Sequence, residues 1–214
     1  MVVYSIFMFK LLPDQDPKTH KPTIRPVMLA TKTDLSSFNI FQRSTVKEVL
    51  TFGNRQVASL SRPGQRSVVK IEATDSKPNC HYGTCGPNQE YACIVTTDMN
   101  YPTRVAFSLV SKAGDAFLKA AGSKVANVTN DVNIDIPEWT IMLQKYQDPT
   151  TADPISQIEK DVGETRQVLV ETLDDLLKRG ESLQNLVDKS EDLSYQSKAF
   201  LKSSKKANSC CVIL

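Results

Sequence analysis

The 214 residues carry 26 lysines and arginines against 24 aspartates and glutamates, a formal net charge of +2, which gives no electrostatic case for nucleic-acid binding. The length has room for one ordinary domain with an extension, or two small domains. No run of about 18 apolar residues occurs, so no transmembrane helix is expected, and the apolar start from Met1 to Phe9 lacks the basic flank and small-residue cleavage site of a secretory signal. A cytosolic chain follows as the expectation, with Cys80, Cys85 and Cys93 as reduced thiols. Cys80, His81 and Cys85 have no Cys-x-x-Cys partner and only His20 as a further histidine, so neither a metal site nor a cysteine nucleophile is expected.

In chain order, residues 1 to 10 predict a buried strand. A polar, proline-containing connection from Leu12 to Pro26 and a short second strand from Pro26 to Thr31 follow. Ser44 is placed to cap a helix through Val46, Val49, Leu50, Phe52, Val57 and Leu60, and Pro63-Gly64 marks a turn. Ser67 to Ile71 and Glu90 to Thr97, rich in β-branched and aromatic residues, read as strands with a loop between them containing Gly83, Gly86 and Pro87. A helix from Thr103 carries Val105, Phe107, Leu109, Val110, Phe117 and Leu118, and a shorter one surrounds Trp139, Ile141, Met142, Leu143 and Tyr146. The order is that of an α+β domain, an antiparallel sheet with helices on its faces. Asp148 to Pro154 is a linker by composition.

Beyond the linker the pattern changes. From Ile155, the positions Ile158, Val162, Thr165, Leu169, Thr172, Leu176, Arg179, Leu183, Leu186, Ser190, Leu193, Ser197, Phe200, Ser204 and Ala207 follow at alternating steps of three and four residues. Such a seam keeps one helix face turned to partners and predicts one strand of a left-handed coiled coil, on the order of 80 Å long. Gly163 and Gly180 lie inside it, each costing about 1 kcal/mol relative to alanine, so the segment is expected to be poorly helical alone and to fold when partners complete its core. Arg179 interrupts the apolar seam between Leu176 and Leu183; a guanidinium there needs hydrogen-bonding partners and fixes register and partner choice. The chain ends in Cys210-Cys211-Val212-Ile213-Leu214, a cysteine followed by the Cys-aliphatic-aliphatic-X form of a prenylation signal. No Gly-x-x-x-x-Gly-Lys-Ser/Thr stretch is present, which removes the prenylated GTPases, other owners of such tails.

The seam with its central arginine, Leu177-Lys178-Arg179-Gly180-Glu181 and Ser197-Lys198-Ala199-Phe200 together resemble an R-SNARE motif. Leu35-Ser36-Ser37-Phe38, Phe41-Gln42-Arg43-Ser44, Thr51-Phe52 and Tyr101-Pro102-Thr103-Arg104-Val105-Ala106-Phe107 resemble a longin domain, the profilin-like module that precedes some R-SNARE motifs. The whole chain therefore resembles a longin-type R-SNARE of the lipidated, synaptobrevin-like family that has no transmembrane segment. The resemblance implies a longin domain over 1–147, a linker over 148–154, an R-SNARE coiled-coil motif over 155–207, disordered or folded back when unassembled, and a lipidated tail over 208–214. It implies no enzymatic activity and no cofactor beyond covalent lipid.

The same resemblance implies that Arg179 forms an ionic layer with three Q-SNARE helices, and that seam residues Ile155, Ile158, Val162, Leu169, Leu176, Leu183, Leu186, Leu193 and Phe200 line the bundle. Cys211 is the expected prenyl acceptor, which brings in a prenyltransferase. Leu214 reads as a geranylgeranyl signal, whereas the lipidated R-SNAREs commonly end in a farnesyl-type residue, and both remain open. Cys210 is the expected second site, for palmitate or another prenyl group, because one lipid chain gives only reversible binding. A groove around Phe52, with Val49 and Phe41, is implied to take the chain's own SNARE motif and shelter the lipid. A cytosolic closed pool then exchanges with an open form on the cytoplasmic face of Golgi, other secretory-pathway or endosomal and vacuolar membranes. Ser190, Ser197 and Ser204 lie in the seam, where a phosphate of about −1.5 to −2 charge would block assembly. The competing expectation is a prenylated coiled-coil scaffold or tethering adaptor, which would tolerate loss of Arg179.

Overall fold

Val2 to Phe9 is apolar at almost every position, the pattern of a strand covered on both faces. In the computed structural model, which describes residues 1–16, 20–71, 79–152, 168–172 and 183–201, this stretch opens the strand β1 (Val3–Gln15). It pairs antiparallel with β2 (Pro22–Thr33) on one side and β5 (Tyr91–Asp98) on the other. β5 pairs with β4 (Asn79–Cys85), and β4 with β3 (Arg66–Ile71), both antiparallel. A sixth strand, β6 (Val168–Thr172), runs parallel to β3 along its outer edge, giving the order β2-β1-β5-β4-β3-β6.

Two strands depart from the sequence expectation. The hairpin of β1 and β2 continues in register to Gln15 opposite Pro22, where a connection was expected. Pro22 and Pro26 are tolerated because β2 is an outer strand, and Pro13 because it lies beyond Lys10, where β1 no longer pairs with β5. Asn79 to Cys85 is the inner strand β4 instead of a loop. Tyr82 and Thr84 suit a strand, but Asn79, His81 and Gly83 break the signature; burial between two neighbours overrides local preference.

One face of the sheet is covered by the helix α1 (Arg43–Leu60), the other by α2 (Thr103–Ala121) and α3 (Pro137–Lys145). Ser44 does not cap α1: the helix starts at Arg43, and its cap position Gln42 makes no side-chain bond. A bulge between Val3 and Ser5 reverses the alternation of β1. Tyr4 therefore faces α1 with Leu35, Val46 and Leu50, as do Phe7 and Phe9 after the bulge, while Ile6 and Met8 face α2. The stretch expected as a linker begins with a short helix, α4 (Pro149–Ala152), whose Ala152 is buried in the core.

Trp139 anchors the α2 side, buried beside Phe117, with Nε1 donating to the Ala113 carbonyl at 3.0 Å. Trp139→Phe leaves that carbonyl without its donor and a space where the larger ring was, and is expected to cost about 2 kcal/mol in chemical denaturation.

The segment after α2 closes the far edge. Val132 N–H donates to the Met28 carbonyl at 2.8 Å and Ile134 N–H to that of Leu29 at 2.9 Å, so the chain lines the outer side of β2. Lys10 Nζ holds it there by donating to the carbonyls of Val125, Ala126 and Val128. This arrangement fixes Asp131 against β2, where its Oδ1 accepts the Met28 N–H at 2.9 Å, within reach of α1.

Candidate functional site

Positions 48, 52 and 55 of α1 are spaced by four and three residues and share one helix face. They present an acid, an aromatic ring and a base: Glu48, Phe52 and Arg55. Phe52 is only 2% exposed, and what covers it comes from the far end of the chain. Val187 and Leu193 are buried against it, with Val49, Leu186 and Leu201 packed around them. These residues belong to two helices, α5 (Leu183–Lys189) and α6 (195–201), joined by a turn through Asp192 and Leu193.

Arg55 secures that turn. Its Nε donates to Asp192 Oδ2 at 2.5 Å and its Nη2 to Asp192 Oδ1 at 2.9 Å, a two-pronged grip. Nη2 also donates to Asp131 Oδ2 at 2.6 Å, and Nη1 to the Pro26 carbonyl at 2.6 Å and Asp131 Oδ1 at 3.4 Å. All five guanidinium donors are thereby occupied. Burial works against the charge, but the hydrogen bonds to Asp192 and Asp131 outweigh it and push the guanidinium pKa above its ordinary value. At the other end of the stripe, Glu48 Oε2 accepts the Ser194 N–H at 2.8 Å, at the start of α6. Burial there raises the carboxyl pKa, but bonds from Ser194 and Ser197 prevail and hold it below the usual range.

Of the seam residues expected from the sequence, Leu186 and Leu193 are thus brought against Phe52 and Val49, and Phe200 is half-buried in α6. Leu169 lies in β6 and Leu183 in α5. The seam here is not one helix: it is extended over Val168–Thr172 and broken between α5 and α6. Ser190 is half-buried, its Oγ accepting the Asp192 N–H at 3.2 Å, and Ser197 is fully buried. Phe41 is a correction: it sits in the turn before α1, 90% exposed, and takes no part in the groove. Ile155, Ile158, Val162, Leu176, Arg179, Cys210 and Cys211 lie outside the described residues. Among the described residues no helix is long and apolar enough to cross a membrane.

Beneath Phe52 the helix presses on a buried polar cluster. A Cβ added at Gly53 would lie 3.1 Å from His81 Cε1 and 3.2 Å from Ile71 Cδ1, so glycine lets the helix approach the strand without displacing either side chain. His81 Nδ1 lies 2.8 Å from the side-chain amide of Asn54, and Nε2 lies 2.8 Å from that of Asn79. Burial pushes the imidazole pKa down to about 3, so the ring is neutral and offers one donor and one acceptor. Thr96 Oγ1 joins the cluster, donating to Asn54 Oδ1 at 3.0 Å and lying 3.3 Å from His81 Nδ1, while Asn54 Nδ2 is buried without a hydrogen-bond partner among the described residues.

Sequence reasoning found Phe52 and Val49 but not Glu48, Arg55, Asp131 or Asp192. The spacing of 48, 52 and 55 on one face was the available signal; nothing local joined it to Asp131 or Asp192.

A five-stranded antiparallel sheet with one helix on one face and two on the other, followed by a seam segment lying on the first helix, defines a class. The description Regulated-SNARE-like domain matches residues 35–137, and Synaptobrevin matches residues 154–212. Relatives extend the match over the chain. A putative synaptobrevin homolog YKT6 of Dictyostelium discoideum is 38% identical over 99% of this chain and 98% of its own length. The synaptobrevin homolog ykt6 of Schizosaccharomyces pombe is 38% identical over 100% of both. The VAMP-like protein YKT61 of Arabidopsis thaliana is 41% identical over 88% of this chain and 92% of its own. The chain belongs to the longin-type R-SNAREs, and among them to those of the Ykt6 kind. That family serves membrane trafficking and is not enzymatic.

Proposed function

We propose that this R-SNARE drives fusion of a vesicle with its target membrane by zippering its seam with three Q-SNARE helices, and that its longin domain holds it inactive until then. The observation that carries this reading is the burial of Leu186 and Leu193 against Phe52. Those side chains belong to the seam and cannot face Q-SNARE partners and α1 at once, so docking and bundle formation exclude each other. In the bundle, Arg179 meets three glutamine carbonyls, which suit a planar fork of donors better than a lysine point charge. Attachment is through a prenyl group on Cys211, added by a prenyltransferase, with a second lipid on Cys210. One chain gives reversible binding and two give stable anchoring. Phosphate on Ser190 or Ser197 has no counter-charge inside the bundle and blocks its assembly; phosphomimetic variants that still form the bundle remove this element of the reading.

The test mixes an unlipidated fragment, residues 150 to 209, with three Q-SNARE helices and follows helicity and melting. The expected result is a largely non-helical fragment that becomes a stable four-helix complex, with Arg179→Leu lowering its melting temperature. A fragment already helical alone, or indifferent to those partners, supports the scaffold or tether instead.

A further inference from the structure

Apolar contact alone does not explain why this part of the seam occupies the groove. A heptad seam repeats its stripe every seven residues. Slipping the segment by one heptad would offer Leu186 or Phe200 to Phe52 in place of Leu193. The residue before the apolar one then decides: Asp192 precedes Leu193, whereas Asn185 precedes Leu186 and Ala199 precedes Phe200. Only the observed register sets a carboxylate opposite Arg55. It also sets the Ser194 N–H opposite Glu48, so Asp192-Leu193-Ser194 meets Arg55, Phe52 and Glu48 in order, running antiparallel to α1.

Arg55 is prepared for this from within the longin domain. Asp131, fixed by the Met28 N–H, and the Pro26 carbonyl take one edge of the guanidinium, and the Phe9 ring lies 5.8 Å below it. The remaining edge, Nε and Nη2, is the one that receives Asp192. We propose that Arg55 is the specificity-determining residue of the α1 groove, reading the acid of an acid–leucine–serine sequence and thereby fixing the register of the folded-back segment. A segment of another protein that competes for the groove must bring an acid immediately before its leucine. This rests on the folded-back, self-inhibited reading above and names the chemistry by which the groove chooses its occupant.

The test uses the full chain, with a synthetic peptide of residues 183–201 as probe. Asp192→Asn changes no residue of the longin domain itself, and is expected to speed amide exchange across 183–201 roughly tenfold or more while β1 and β5 keep their protection. In the wild type that protection weakens as salt rises toward about 0.5 M, and in Asp192→Asn it does not. The probe peptide is added to a full chain carrying Asp192→Asn and Leu193→Ala, whose own segment no longer competes. The unmodified peptide should bind at least tenfold more tightly than one with asparagine at 192, and Arg55→Lys in the receiving chain should narrow that ratio because the fork is lost. Equal binding of the two peptides overturns the role of Arg55 and leaves the groove standing. Failure of both peptides to bind, with fast exchange of 183–201 in the wild type, overturns the folded-back reading instead. The two peptides and Asp192→Asn decide the matter even if Arg55→Lys fails to fold.

Discussion

Phe52→Glu releases residues 183–201 from α1 and leaves the sheet and its packed helices intact. The neighbours that bury the ring are Val187, Leu193, Leu186 and Leu201 of the far segment and Val49 of its own helix. A carboxylate in that position loses about 2–3 kcal/mol of ring burial and adds the cost of desolvating a charge. It also sits one turn from Glu48, which already carries a carboxylate on the same face. A total of roughly 3 kcal/mol corresponds to a shift of about a hundredfold toward the undocked segment. Hydrogen exchange reads this directly: α5 and α6 lose protection, while β1 and β5, whose sides face other layers, retain theirs. Under the proposed lipid attachment, the soluble fraction of the prenylated chain is expected to fall with it. Unchanged exchange over 183–201 would show that the groove contributes little to holding the segment.

The second expected result concerns acid. Burial holds His81 neutral in the folded state, with its pKa at about 3 against an ordinary value of 6.5. Above that ordinary value both folded and unfolded chains carry a neutral ring, and the full stability is present. As pH falls below it, the unfolded imidazole takes a proton that the folded one refuses, so stability declines and goes on declining until the pH reaches about 3. Over that window the loss is on the order of 5 kcal/mol, a large part of the stability of an ordinary domain. His81→Gln keeps a polar group between Asn54 and Asn79 without a titrating ring. It is expected to be less stable near neutrality yet to lose less on acidification than the wild type. Parallel curves of melting temperature against pH for the two proteins would exclude the histidine as the source.

What could be read from the sequence was what repeats locally. The continuous apolar run of β1, the helical spacing through Val46, Leu50 and Val57, and the stripe of α2 all follow from side chains meeting a single apolar layer. β4 was hidden because polar groups are buried among its apolar ones: His81 and Asn79 find their partners on α1 and within the strand itself, a match that no local pattern announces. Ser44 and Phe41 were misplaced for a simpler reason. The helix begins two residues earlier than the cap pattern suggests, with Gln42 in place of Ser44 at the cap, leaving Ser44 inside it and Phe41 in the exposed turn. The site was half legible. Phe52 and the leucines are apolar residues at helical spacing, but the ions that set their register come from three places: Arg55 meets Asp131 across 76 residues and Asp192 across 137. Pairing at such range is a property of the finished fold.

The parallel strand β6 has a consequence of its own. It pairs with β3 from Arg66 to Lys70 and so seals the side of the sheet that the longin strands leave open. In the zippered state proposed above, that side becomes a bare rim of backbone donors and acceptors, able to pair with any extended chain it meets. The residues that zipper under the proposed function are, when docked, the stopper that keeps this sheet from growing.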